Sequence, residues 1–330
     1  MSKLPITLAA ERYDRTVALA DGRVAVRGVD LNLLHMSVEE AFFRMLRYRE
    51  FDASEMSLSA YVLSLAEPER PFVAIPVFLS RLFRHSAIYL RSDAGIRTPG
   101  DLAGRRIGLA TYEMTAAVWI RGILQEFYGV PADSATYVIG GLHDAGRQQL
   151  SELDLPTSIH VEPLAAGDTL SDALAEGRLD AIYSARAPRS YEADDGRVVR
   201  LFEEFEQVER AYFLQTSIFP VMHVVAIRRE VYERNRWLAR SLYDAFCEAK
   251  RHAYEALAQT GSLRVSLPWT AGHFADTRAL MGEDYWSYGL DANRVVFDRY
   301  LEYASRQGLN PASARAEDLF ATETLTSFGV

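Results

Sequence analysis

The chain has 330 residues, 49% of them hydrophobic and 25% charged, an ordinary globular composition at a length that favours two lobes over one core. Its formal net charge of -9 argues against nucleic acid or an anionic membrane surface as a partner. A single cysteine, Cys247, excludes a disulfide framework and a thiolate metal cluster, and the two lysines, Lys3 and Lys250, lie in no motif that would support Schiff-base chemistry.

The N-terminus runs straight into a strand expected at 6–10, with no secretory apolar region and cleavage site before it. No later apolar run approaches a membrane span, so a soluble cytoplasmic protein is expected. Arg12, Tyr13, Asp14 and Arg15 follow the first strand and lead into a short helix to about 20. A second strand is expected at 29–34. Ser37 then caps a helix to 49, with Glu39 and Glu40 in the first turn, where they favour the dipole. A third strand ends near Glu55-Met56-Ser57 and a helix follows to 65. Alternation of this kind predicts a mainly parallel α/β sheet.

The segment 72–90 places Arg81, Arg84 and His85 between two short apolar runs that read as buried strands, 72–77 and 87–90. Polar groups at such a junction are where an open α/β sheet presents a ligand site. The chain is expected to cross here from a first lobe to a second, and to return at 219–227, where His223 precedes another apolar run. The expected division is therefore lobe 1 at 1–90 and 219–330, and lobe 2 at 91–218. Within lobe 2, strands are expected at 105–109, 137–140, 159–164 and 179–183, with helices at 114–128 and 169–176. An irregular acidic connection is expected at 150–158 and a surface loop at 190–197. Beyond 230 the pattern is helical: 235–257, 271–281, 291–307 and 316–320.

Several polar groups fall just after predicted strands. Tyr112 and Thr115 open the helix at 114–128, whose first backbone N–H groups favour an anion; plain capping explains the same pattern equally well. Arg81, Arg84 and Arg186 are candidate carboxylate clamps, with Arg12 and Arg15 behind them, because a guanidinium forms paired charge-assisted bonds. For any one arginine, a solvated or inter-lobe ion pair is the commoner role. His85 and His223 are the two histidines placed to supply a proton near neutral pH, and a core histidine bonded to a carbonyl is the competing reading for each. There is no His-Glu-x-x-His, no paired cysteines and no Gly-rich phosphate loop.

These same segments resemble the 4,5-dihydroxyphthalate decarboxylase family. The likeness is carried by MSKLPITLA (1–9), YDRT (13–16), GVDLN (28–32), EEAFFRMLRYREFD (39–52) and EMSLSAY (55–61). It continues through IPVF (75–78), FRHS (83–86), YEMTAAVWIRGIL (112–124), YSARAP (183–188), ERAYF (209–213) and FPVMH (219–223). The resemblance implies a two-lobed, type 2 periplasmic-binding-protein-like α/β fold with two hinge crossings and a helical C-terminal part. It implies non-oxidative loss of CO2 from a hydroxylated aromatic dicarboxylate, with no organic cofactor; metal dependence stays open at this point, and so does a homo-oligomer.

On that reading the catalytic candidates are His85, His223 and Glu55. The substrate-binding candidates are Arg12, Tyr13, Asp14, Ser57, Arg81, Arg84, Tyr112, Thr115 and Arg186. Arg84 and Arg186, helped by Thr115, would take the carboxylates, and Glu55 or Asp14 the ring hydroxyls. The alternative is a solute-binding protein that holds an aromatic or small carboxylate without turnover.

Overall fold

The computed structural model describes residues 2–146 and 153–325; the first three positions of the connection expected at 150–158 lie outside the described residues. In chain order the strands are β1 (Leu4–Ala10), β2 (Val29–His35), β3 (Ala53–Ser57), β4 (Phe72–Arg81), β5 (Ile88–Arg91) and β6 (Arg106–Leu109). They continue with β7 (Thr136–Ile139), β8 (His160–Pro163), β9 (Ala181–Tyr183), β10 (Val198–Arg200) and β11 (Val221–Arg228). Four helices position candidate site residues or their neighbours: α1 (Asp14–Ala20), α2 (Val38–Tyr48), α3 (Leu58–Ser64) and α4 (Thr115–Tyr128).

The chain forms two compact units. The first comprises the residues up to Arg81, Val221–Phe297 and those from Ala314; the second comprises Leu82–Pro220 and Asp298–Ser313. The expected division differs from this in three places, one of them residues 219–220, which stand with the second unit just before β11 begins. Residues 82–90 belong with the second unit because β5 pairs there with β9 and β10. Residues 298–313 belong with it because Tyr300 and Tyr303 pack their rings on Trp119 of α4, at centroid separations of 5.5 and 5.7 Å. Gly122 makes room for this contact. A Cβ there would stand 2.0 Å from Tyr303 Cδ2, so the helix accepts a residue of poor helical propensity to let the ring approach its backbone.

The first unit carries a five-stranded sheet in the order β2-β1-β3-β11-β4. The β1–β2 and β1–β3 pairs are parallel, as the alternation predicts. β11 is antiparallel to both neighbours, β3 and β4, and so makes the sheet mixed. Its core includes Phe78 of β4, whose ring meets Phe297 at 5.0 Å and Phe320 at 6.0 Å. The Ser37 cap expected at α2 is in place, its side chain accepting the Glu40 N–H. Ser57 plays the same part at α3, where it accepts the Ala60 N–H.

The second unit carries a six-stranded sheet, β10-β5-β9-β6-β7-β8. β6, β7, β8 and β9 run parallel, while β5 is antiparallel to both of its neighbours. Leu170, Leu174, Leu179 and Ile182 form its apolar centre with Tyr89 and Val138. Two features here go beyond the sequence expectation. A helical turn, Arg189–Glu192, occupies the start of the expected 190–197 loop, and a helix, Phe205–Thr216, precedes the return to the first unit. That second helix buries Glu209 and Tyr212 and leaves Leu214 exposed, so it lacks the apolar stripe that periodicity detects. Among the described residues no helix is long and apolar enough to cross a membrane.

Candidate active site

In the first unit, the carboxyl edge of the sheet collects the polar residues that follow β1, the end of β3 and the start of β11. Strand register explains the central contact. Ser57 lies opposite His223, and Glu55 lies opposite Val225, so Glu55 and His223 are diagonal neighbours on one face. β3 runs two residues beyond Glu55 to Ser57, which caps α3.

Glu55 is fully buried, and three donors converge on it. His223 Nδ1 lies 2.7 Å from Oε1, the Tyr13 hydroxyl donates to the same oxygen at 2.8 Å, and the Glu11 backbone N–H donates to Oε2 at 3.0 Å. Burial alone would raise the Glu55 carboxyl. The bond and charge of His223, the Glu11 N–H and the Tyr13 hydroxyl outweigh it and hold the group below its ordinary range, as a carboxylate. The Tyr13 phenol moves the other way, pushed up by burial and by the adjacent Glu55 charge, so it keeps its proton and serves as a fixed donor.

Because a carboxylate can only accept, Nδ1 of His223 carries hydrogen, and Nε2 is the nitrogen left for other chemistry. The His223 side chain is 17% exposed, and its ring meets the edge of Phe42 at 4.9 Å. A buried carboxylate, an imidazole oriented by it and a phenol on the same oxygen form a unit able to hold and release a proton.

Arg15, a secondary candidate in the sequence, is closely constrained in this unit. Its Cζ lies 4.1 Å from the Tyr13 ring centroid and 4.1 Å from the Trp286 ring centroid. Nε and Nη2 both donate to the Leu79 carbonyl, and Nη1 donates to Asp14 Oδ1 at 3.0 Å. The Trp286 indole N–H is tied in turn to the Phe78 carbonyl at 2.8 Å. Trp286 sits on an irregular segment far along the chain, and no sequence signal links it to Arg15.

The other candidates of this unit separate by environment. Ser57 shares the face of Glu55. Arg12 and Asp14 are exposed. Arg81 turns into the interior, where its guanidinium donates to the Ser287 carbonyl at 2.6 Å and to Asn293 Oδ1, and burial pulls its pKa down to about 9. Its contacts there are those of an internal tie joining β4 to the segment around Asn293.

In the second unit, Tyr112 and Thr115 flank the β6–α4 junction, and Arg186 follows the adjacent strand, β9, in an exposed position. Tyr112 itself is buried, with its ring 4.0 Å from Arg121 Cζ and its carbonyl accepting from Arg121 Nη2 at 2.8 Å. Arg121 is not among the sequence candidates, because nothing in a run of helix formers marks it as a buried guanidinium bonded to Gln307. Arg84 is buried, which lowers its pKa to about 10 against the pull of Glu209. His85 lies in an aromatic box with Phe202 and Tyr212 at 5.3 Å and Tyr128 at 6.3 Å. Its Nδ1 has no hydrogen-bond partner among the described residues, and burial lowers its pKa to about 4. At neutral pH His85 is therefore uncharged, and its surroundings do not suit a proton donor. Among the described residues, no group of three or more His, Cys, Asp or Glu side chains is arranged to hold a metal ion.

Two known proteins are similar to the chain in sequence, and others in fold alone. A 4,5-dihydroxyphthalate decarboxylase of Comamonas testosteroni is 38% identical over 330 residues, the whole of both chains. A second, from Pseudomonas putida, is 41% identical over 204 residues, 62% of this chain and 79% of that one. No family model matches the chain. Among solved structures, the periplasmic sulfonate-binding protein SsuA of Methylobacillus flagellatus aligns with a TM-score of 0.58 at 14% identity, covering 98% of this chain and 93% of that one. The periplasmic aliphatic sulphonate-binding protein SsuA of Escherichia coli aligns with a TM-score of 0.53 at 14% identity, covering 98% and 99%. At those identities the likeness bears on the fold, which is the periplasmic-binding-protein-like α/β arrangement.

Proposed function

Because the chain belongs to the 4,5-dihydroxyphthalate decarboxylase family, we propose that it converts 4,5-dihydroxyphthalate to protocatechuate and CO2 in phthalate catabolism, with His223 as the proton donor. It is a carboxy-lyase by family, and the chemistry asks little beyond a proton delivered to the right carbon. A hydroxyl para to the departing carboxylate raises electron density at the ring carbon that bears it. Imidazolium Nε2–H of His223 gives its proton to that carbon. The carbon–carbon bond then breaks, its electron pair returns to the ring, and CO2 leaves. The dianion and one proton become a monoanion and CO2, and the neutral imidazole is recharged from solvent.

The observation that carries this reading is the pairing of His223 Nδ1 with the buried Glu55 carboxylate. It fixes Nδ1–H on the carboxylate and so leaves Nε2 as the nitrogen that can carry the transferred proton. Glu55 is thus a positioning and electrostatic group whose oxygens are already taken by Tyr13, His223 and Glu11. The same reading keeps turnover in the cytoplasm, where a free thiol such as Cys247 stays reduced.

Mixing the purified protein with 4,5-dihydroxyphthalate and following CO2 and protocatechuate tests the proposal. Stoichiometric release supports it. Saturable binding with no release would replace it with a solute-binding function.

A further inference from the structure

Resting on the decarboxylase reading, we propose that Arg15 anchors a substrate carboxylate, and that Asp14 occupies its fork until substrate arrives. Sheet order sets the geometry. Arg15 leaves the chain just after β1 and ends on the Leu79 carbonyl of β4, while β3 and β11 lie between those strands. From the start of α1 the side chain therefore reaches the carboxyl end of β4, on the same sheet edge that carries Glu55 and His223. A run of contacts ties it to them: Arg15 stacks on the Tyr13 ring, Tyr13 donates to Glu55 Oε1, and the same oxygen meets His223 Nδ1.

The guanidinium is also held in one plane. Tyr13 covers one ring contact and Trp286 another, each 4.1 Å from Cζ, and the Leu79 carbonyl takes the Nε and Nη2 side. A guanidinium has five N–H groups, and its two Nη atoms form a second fork that matches a carboxylate in shape and charge. Asp14 Oδ1 lies 3.0 Å from Nη1 at this end and also accepts the Arg15 backbone N–H at 2.7 Å. The Arg15 side chain is 13% exposed and that of Asp14 54%, so the cation is sheltered and its partner is the solvated member of the pair. A sheltered cation paired with a largely solvated carboxylate is placed to exchange it for another. A solvated carboxylate of this kind contributes little to stability, so displacing it costs little. The other carboxyl group of a 1,2-diacid is then free to face the proton donor.

Binding of phthalate, an unreactive diacid without ring hydroxyls, separates this inference from turnover. Titration calorimetry with wild-type protein, Arg15→Gln and Asp14→Asn is the experiment. Loss of the fork is expected to weaken phthalate binding by about 10- to 100-fold in Arg15→Gln. Removal of the competing carboxylate is expected to tighten it by about two- to fivefold in Asp14→Asn. Arg15→Lys keeps the charge and the stem beside Trp286 but not the planar fork, and it is expected to bind nearly as weakly as Arg15→Gln; it serves where the glutamine variant fails to fold. The inference is overturned if the folded Arg15 variants bind phthalate as tightly as wild type, if the wild type does not bind it, or if Asp14→Asn weakens binding. Wild-type protein that binds phthalate through Arg15 but releases no CO2 from 4,5-dihydroxyphthalate would leave the anchor standing and remove the decarboxylase reading.

Discussion

His223 meets Glu55 through one bond, Nδ1 to Oε1 at 2.7 Å, and that bond decides which imidazole nitrogen is left to work. The carboxylate is fully buried yet held ionised by its three donors. Replacing Glu55 by Gln keeps the shape and removes the charged acceptor that fixes Nδ1–H. We expect kcat to fall by roughly 100-fold or more while KM changes little, since Glu55 acts through His223. Steady-state kinetics on the folded variant measures this, and a rise in KM with unchanged kcat would assign Glu55 to substrate binding instead.

Gly122 sets the contact between α4 and the Tyr300–Tyr303 face. An added methyl group at Gly122→Ala would stand 2.0 Å from the Tyr303 ring, so ring or helix must shift. The expected cost is about 1–3 kcal/mol of overpacking, in spite of the better helix propensity of alanine. Denaturant unfolding reads it directly, and Gly122→Ala with Tyr303→Leu should recover part of the loss.

Acid should destabilise the protein through His85 before it acts on carboxylates. Folded His85 has a pKa near 4 against 6.5 when unfolded, so between those values the unfolded chain binds a proton that the folded chain refuses. Stability therefore falls as pH drops through that window, by roughly 3 kcal/mol when complete. Glu55, with its folded pKa depressed, contributes above its ordinary value of 4.5 and loses that contribution as pH falls through the folded value. His85→Phe keeps an aromatic ring in the box and removes the upper window. Urea titrations at pH 7 and pH 5 should show a smaller drop for this variant than for wild type.

Arg121 is 1% exposed, and its charge rests on Gln307 Oε1 at 2.7 Å, the Tyr112 carbonyl and the Tyr112 and Tyr137 rings. Removing the amide in Gln307→Ala leaves a buried cation with one acceptor fewer. A loss of about 2–4 kcal/mol is expected, read as a lowered denaturation midpoint, whereas Gln307→Glu should restore much of it.

The local grammar of this fold is written plainly in the chain. Ser37 announces α2, Gly129 closes α4 at a φ of 66°, and short apolar runs mark most of the strands from β1 to β7. What sequence pattern cannot supply is which distant strands become neighbours. Glu55 and His223 meet because β11 inserts antiparallel between β3 and β4, a pairing across 168 residues that no local period encodes. The Arg15 sandwich depends in the same way on Trp286, from a segment with no regular structure. In sequence Arg84, His85 and His223 look alike because each adjoins an apolar run. Burial separates them: it neutralises His85 among aromatic rings, while His223 keeps a carboxylate partner and some access to solvent. The Phe205–Thr216 helix leaves no periodic signal because its buried positions are Glu209 and Tyr212 rather than a repeating apolar set.

Decarboxylation by this route requires His223. Turnover of 4,5-dihydroxyphthalate by folded His223→Gln, followed as CO2 released per active protein, is the most direct measurement. A fall of roughly 100- to 10,000-fold in kcat is predicted, against a wild type that turns over. A His223→Gln protein that releases CO2 at the wild-type rate would contradict the assignment of the proton to this residue.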